Sequence, residues 1–115
     1  MREDNGNQTS SRFLAHATEE LARGELLQAS EKLWGAAAHA VKVVAERRGW
    51  AHHSHRSLVE AVDKLVAETN QADLGNLFRV AQALHANFYE GWMTQASIQQ
   101  AVGEIEQFVS RVEQL

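Results

Sequence analysis

The segment 47–56 concentrates cationic and histidine side chains in an otherwise acidic chain. Guanidinium groups bind phosphate oxygens through paired hydrogen bonds, and histidine exchanges a proton near neutral pH. Metal-independent RNA cleavage needs a base for the 2′-hydroxyl, an acid for the leaving oxygen and a cation for the charged intermediate. A solvated helix end, whose cations offset the helix dipole, is the alternative interpretation. The candidate ligand-binding residues here are Arg47, Arg48, Trp50, His53 and His55.

His85 is a second candidate, because it falls on the apolar face of a predicted helix. It lies seven residues after Phe78, so the two side chains share nearly one face, and Tyr89 follows one turn later. Two interpretations stay open: a partly buried histidine bonded to a facing helix, or a polar group in a ligand groove or dimer interface. We expect an anion bound by the basic segment to lie near His39, His85 and Tyr89.

Metal ligation and the common catalytic motifs are not predicted. The chain has no cysteine, which excludes disulfides, thiolate ligands and a cysteine nucleophile. His52 and His53 are adjacent and point apart in an extended connector, whereas zinc needs three or four convergent ligands. No glycine-rich phosphate loop, zinc-protease histidine pair or nucleophile elbow occurs in the sequence. We therefore expect neither a metal nor another cofactor.

Composition and periodicity predict an all-α fold for this chain of 115 residues. Proline is absent, and Ala, Leu, Glu and Gln are abundant, which favours long uninterrupted helices. Apolar residues recur at steps of three and four along five stretches, of which Gly49 ends the second and Gly91 the fourth. We expect an antiparallel bundle of about five helices over residues 10–115 and a flexible N-terminal tail at residues 1–9.

Capping residues indicate where the predicted helices begin. One of the three hydroxyl residues at 9–11 is expected to cap the first helix, and either Ser54 or a capping box starting at Ser57 begins the third. Asp73 is the expected cap of the fourth helix and Thr94 of the fifth. These caps set the register in which the candidate side chains leave their helices.

Neither a membrane span nor a secretory signal is predicted. No apolar run is long enough to cross a bilayer, and charged residues directly follow Met1. The absence of cysteine suits a reducing compartment. We expect a cytoplasmic protein with no membrane partner.

Three stretches together resemble a known family. They are ASEKLWGAAAHAVK at 29–42, GWAHHSH at 49–55 and LHANFYE at 84–90. They resemble the PaREP-type family of small helical proteins, part of the HEPN superfamily, over about residues 12–115. The resemblance implies a compact helical bundle that often dimerises. HEPN proteins include ribonucleases, toxins and partners of small nucleotidyltransferases, together with non-catalytic RNA-binding or scaffolding members.

Active HEPN ribonucleases carry an arginine a few residues before a histidine. Three pairs fit this spacing: Arg47 with His52, Arg48 with His53, and Arg79 with His85. The Asn, Asp or His that usually follows the arginine is missing in each pair, where Arg48, Gly49 and Val80 stand instead. Arg79 and His85 lie about 120° apart around a helix, so they converge only through a kink or across two subunits. The catalytic candidates are His85, Arg79, His53 and Arg48.

We therefore expect a HEPN-like binding or interaction module that forms a homodimer and binds RNA or a nucleotide through its basic turn. The dimer is expected because small-residue and aromatic surfaces exceed what a monomer of this size buries. Two alternatives stay open: a metal-independent endoribonuclease, and a protein-partner subunit such as a nucleotidyltransferase-associated or antitoxin-like module. Whether the protein is an enzyme is left open, with binding favoured.

Overall fold

Five α-helices make up the protein in a computed structural model, which describes residues 2–115 and the side chains from residue 9 onward. The helices are α1 (Arg2–Ala22), α2 (Leu26–Arg48), α3 (His55–Thr69), α4 (Ala72–Glu90) and α5 (Gln95–Glu113). Helix accounts for 84% of the chain, and the described part contains no strand. The predicted all-α bundle is confirmed. Over the same residues, none of the helices combines the length and apolarity that a bilayer crossing requires.

The helix ends follow most of the predicted signals. Gly49 and Gly91 adopt positive φ angles of 74° and 67° and end α2 and α4, as left-handed helix terminators do. Ser54 caps α3, because the Ser57 backbone N–H donates to Ser54 Oγ at 3.0 Å and the Ser54 N–H donates to Ser57 Oγ at 2.9 Å. The Thr94 hydroxyl caps α5 by accepting from the backbone N–H of the residue three positions later.

Two predicted helix starts are wrong. Asp73 does not cap α4: the helix begins at Ala72, and the Asp73 carboxylate instead accepts from Arg111 on α5. No hydroxyl at 9–11 caps α1, because the helix begins at Arg2 and no proline stops it. Ser10 is buried and donates to the Ala36 carbonyl at 3.3 Å, so its hydroxyl joins α1 to α2. Residues 1–8 have no described side chains, and the flexibility expected of residues 1–9 stays a prediction.

The second helix is the centre of the bundle, and it packs against each of the other four. Alanines cover much of its buried surface, which allows neighbouring helices to approach closely. At Gly35 a Cβ atom would lie 3.3 Å from the ring of Phe13, so glycine allows α1 to pack tightly there. The largest fully buried side chains include Leu33 of α2, Phe78 of α4 and Phe108 of α5.

A buried polar contact fixes the end of α4. Asn87 is fully buried; its Nδ2 donates to Ser30 Oγ at 2.8 Å, and its Oδ1 accepts from the Met93 backbone N–H at 2.7 Å. One side chain therefore joins α4 to α2 and to the connector that leads into α5. This contact fixes the C-terminal end of α4, whose last two turns carry His85 and Tyr89.

Candidate functional site

Trp34 on α2 is the centre of a group of rings contributed by three helices. The imidazole of His85 stacks on its indole, with centroids 4.7 Å apart and planes inclined by 21°. His55, the first residue of α3, lies 5.2 Å from Trp34 and 6.0 Å from His85. Tyr89, one turn after His85, meets the imidazole edge-on at 5.6 Å. We call these four residues the histidine–tryptophan cluster.

Polar neighbours orient both histidines of the cluster. His85 Nδ1 lies 2.9 Å from Oε1 of Glu31 on α2, and because a carboxylate accepts, Nδ1 carries the proton. The opposite nitrogen, Nε2, is then the one available to a ligand. His55 Nε2 lies 3.0 Å from the Gln82 side-chain oxygen. Since 27% of the His85 side chain is exposed, this histidine is both bonded to a facing helix and accessible.

A cavity of about 330 Å³ adjoins the cluster beside α2. Trp34 belongs to its lining, and so does Glu31, the hydrogen-bond partner of His85; the cavity and the histidine–tryptophan cluster therefore share Trp34. Phe13 of α1 supplies a second aromatic surface, while Gly35 and Ala38 leave space because their side chains are small. We call this space the α1–α2 cavity.

The remaining lining residues of the α1–α2 cavity are Lys32, His39 and Lys42. Burial, and then the nearby Lys42 charge, lower the pKa of His39, so its imidazole is neutral at neutral pH. Its Nε2 atom is buried and has no hydrogen-bond partner among the residues that the structure describes. Lys32 Nζ donates to Glu20 at 2.9 Å, whereas Lys42 is exposed and no described carboxylate pairs with it.

A family model supplies the relationship of this chain to other proteins. The model of the archaeal PaREP1/PaREP8 family matches residues 7–109. The chain belongs to this family. The PaREP part of the predicted resemblance is thereby confirmed, and the whole histidine–tryptophan cluster lies within the matched range.

A solved structure confirms the fold of this PaREP1/PaREP8 protein. The crystal structure of a protein from Sulfolobus solfataricus superimposes with a TM-score of 0.80, covering 90% of this chain and 92% of that chain. The two sequences are 21% identical, so the likeness concerns the fold. Among curated proteins, no sequence matches this one.

The basic segment of the PaREP1/PaREP8 chain does not form one surface. Arg48 pairs with Glu68 of α3, donates to the Leu115 carbonyl at 2.8 Å, and lies 5.3 Å from the Trp50 ring centroid. Lys64 Nζ lies 5.1 Å from the same ring. Arg48 and Trp50 therefore join α2 to α3 and to the chain end, away from the contacts of His55. These contacts explain both residues without a ligand.

The other residues of this segment also lack contacts with the cluster, apart from His55. His53 is exposed, and its ring contacts His52 at 4.4 Å, while His52 Nδ1 donates to the Trp50 carbonyl at 2.9 Å. Arg47 is exposed on α2. Within the described residues, no group of three or more His, Asp or Glu side chains is arranged to hold a metal ion.

None of the three predicted arginine–histidine pairs is joined by a contact between described side chains. Arg79 is exposed and donates to Asn76 Oδ1 at 2.6 Å on its own helix, whereas His85 faces α2. The predicted separation of about 120° explains this divergence. His39, His55, His85 and Tyr89 are thus the predicted site residues that gather around Trp34 and its cavity.

Burial of His39 predicts a loss of stability in acid. The pKa of His39 is lowered below 6.5 in the folded protein. The contribution of the neutral imidazole to the unfolding free energy is therefore fully present above pH 6.5 and is lost as the pH falls through the lowered folded pKa. His39→Gln should therefore reduce the fall in unfolding free energy between about pH 7 and pH 5. Urea unfolding at several pH values measures this. His16→Gln, an exposed histidine on α1, is the control; the same pH dependence in both variants would contradict the prediction.

Proposed function

We propose that this protein is a HEPN-like cytoplasmic binding module that binds RNA or a nucleotide at the histidine–tryptophan cluster and the α1–α2 cavity. One observation carries the proposal: candidate residues from distant parts of the sequence meet at this surface. His39 lines a cavity that shares Trp34 with the cluster, and the cluster also contains His55 and His85. Convergence of this kind is what separates a binding site from scattered surface histidines.

The chemistry of the surface suits a nucleic-acid ligand. Tyr89 is 72% exposed, and an exposed aromatic ring offers a base a stacking surface. Lys42 has no competing carboxylate among the described side chains, so its ammonium group is free to contact a phosphate. The net charge of −4 disfavours extended phosphate contact, so we expect a short ligand held locally.

A homodimer is part of this proposal. Two exposed apolar side chains lie near the start of α2 and just after the end of α4: Leu27 and Trp92. A Cβ atom on Gly91 would lie 3.8 Å from the Leu27 side chain, which places Leu27 beside the α4 terminus next to Trp92. A second copy would bury these groups. Light scattering at high micromolar concentration should give twice the single-chain mass of 12.8 kDa; a monomer mass would refute the dimer.

Binding to a labelled single-stranded RNA, followed by fluorescence anisotropy with chelator present, tests the proposed function. We expect affinity to fall with salt, and Lys42→Gln to lower the salt slope by about one phosphate contact. Tyr89→Ala should weaken binding by about tenfold, because stacking of one base contributes about 1–3 kcal/mol.

The matched control is Arg47→Gln, which removes an exposed cation from the same helix. Arg47 lies about 140° around the helix axis from Lys42, so it faces away from the cavity. Affinity and salt slope should stay at wild-type values in this variant. Absent or salt-independent binding, or equal losses in Arg47→Gln and Lys42→Gln, would refute the proposed function.

A metal-independent endoribonuclease is the second candidate, and the carboxylate-bound His85 beside His55 favours it. One imidazole would accept the 2′-hydroxyl proton as that oxygen attacks phosphorus, and the other would protonate the departing 5′-oxygen. The products are a 2′,3′-cyclic phosphate and a 5′-hydroxyl end. Of the predicted catalytic residues, only His85 belongs to this pair; Arg48, His53 and Arg79 make other contacts.

The same RNA incubation tests this activity when the product ends are analysed. Cleavage should survive chelator and be lost in both His85→Gln and His55→Gln. Intact RNA would exclude the nuclease, and intact RNA without binding would direct attention to a protein partner.

A further inference from the structure

The α1–α2 cavity is lined in part by His39, a histidine with a buried nitrogen. Among the described residues Nε2 of His39 has no hydrogen-bond partner, although most buried polar atoms in folded proteins have one. His39 is one of the residues that line the cavity, so a ligand in this space would lie against its side chain.

We infer that the α1–α2 cavity holds a single nucleotide unit, with its base beside Phe13 and His39 and its phosphate on Lys42. The inference rests on the proposed function and narrows the ligand to one nucleoside 5′-monophosphate, either free or as the end of an RNA strand. Under this inference the cavity binds one nucleotide, and Tyr89, which lies outside the cavity, stacks on further bases of an RNA strand.

The size and lining of the cavity support one nucleotide rather than a longer ligand inside it. A volume of about 330 Å³ is at the small end of ligand sites, which span about 300–1,000 Å³. Phe13 and Trp34 offer aromatic surface to a planar base. Ala38 is one of the lining residues, so a larger side chain there should reduce the space that a ligand can occupy.

Charge along the cavity orients the ligand. Glu31 lies at one end of the lining and Lys42 at the other, eleven residues further along α2, which corresponds to about 16 Å of helix rise. A phosphate is repelled by the Glu31 carboxylate and attracted by the Lys42 ammonium group, with which no described carboxylate pairs. His39 is one turn before Lys42, and as a neutral imidazole it hydrogen-bonds a base or sugar group rather than serving as a second cation.

Titration calorimetry with the four nucleoside 5′-monophosphates, the four nucleosides and inorganic phosphate tests this inference. At least one monophosphate should bind about tenfold more tightly than its nucleoside and than phosphate, as a charge-assisted contact predicts. Lys42→Gln should weaken the monophosphate about tenfold and leave the nucleoside unchanged. His39→Phe should weaken both, since it removes the hydrogen bond and keeps a ring.

Two further variants distinguish filling of the cavity from unfolding of the protein and from loss of a surface cation elsewhere. Ala38→Met should abolish monophosphate binding by filling the cavity, with thermal unfolding measured to confirm that the variant is folded. Arg47→Gln should bind like wild type. Unchanged monophosphate binding in folded Ala38→Met or in His39→Phe would overturn the inference.

Binding of RNA oligonucleotides shows whether the cavity takes a free nucleotide or the end of an RNA strand. It also shows whether a negative result contradicts the cavity inference or the proposed function. Tighter binding of a 5′-phosphorylated oligonucleotide than of its 5′-hydroxyl form would support the cavity as a site for a strand end, whereas monophosphates that bind without this preference would support a free nucleotide. RNA that binds while no monophosphate does would overturn the cavity inference and leave the proposed function standing. If neither RNA nor monophosphates bind, the proposed function itself fails.

Discussion

Replacing Asn87 with alanine is expected to lower the free energy of unfolding by about 2–4 kcal/mol. The variant removes the buried amide group that donates to Ser30 and accepts from the Met93 backbone N–H. Both partners would be left without this contact, and a small cavity would form where the amide was. Since one side chain joins α2, α4 and the following connector, no neighbour can replace it by a small shift.

Urea denaturation measures this effect, and Asn76→Ala provides a control on the same helix. Asn76 is exposed, and its side chain accepts a hydrogen bond from the exposed Arg79, so its loss should cost less than about 0.5 kcal/mol. A double-mutant cycle with Ser30→Ala should give a coupling energy of about 1 kcal/mol or more. Equal unfolding free energies for wild type and Asn87→Ala would show that the buried amide contributes nothing to stability.

The helices are predictable from the sequence where the signal is local. Gly49, Ser54 and Thr94 act through their own backbone angles or through a residue three positions away, so their short-range sequence context is sufficient. The cap of α4 is not predictable in this way. Asp73 is bound to Arg111, 38 residues later, and this tertiary contact uses the carboxylate that local preference assigns to the helix start.

The same distinction applies to the candidate site. His85 and Tyr89 lie on one face of α4 because they are four residues apart, and the sequence predicts that directly. The pairing of His85 with Glu31 spans 54 residues, and no local pattern indicates it. Glu31 and Trp34 were missed for this reason, although both occur in the stretch that carries the family resemblance, one turn apart on α2.

In the basic segment, residues that are close in the sequence do not lie on one surface of the protein. Arg48 is held by Glu68 and Leu115, while His55, seven residues later, turns toward Trp34 and Gln82. Between them the chain leaves α2 at Gly49 and enters α3 after Ser54, so the two side chains leave different helices. A run of like residues across a helix turn therefore does not define one surface.

Phe78→Ala is expected to have the largest effect of any variant considered, a loss of about 3–5 kcal/mol in unfolding free energy. Phe78 is 2% exposed, and its ring centroid lies 5.7 Å from those of both Trp34 and Phe108. The substitution opens a cavity beneath Trp34, the ring on which His85 stacks. Near-ultraviolet circular dichroism should therefore change, and RNA affinity should fall in the fraction that remains folded.

The contrast with Phe78→Leu separates loss of packing volume from loss of the aromatic contact. Leucine keeps much of the buried apolar volume, so its cost in unfolding free energy should be smaller than that of alanine. If support of Trp34 positions the cluster, ligand affinity should follow the order wild type, leucine, alanine when measured well below the unfolding temperature. Wild-type affinity in the folded alanine variant would show that the cluster holds its geometry without Phe78, and the core beneath Trp34 would then contribute to stability alone.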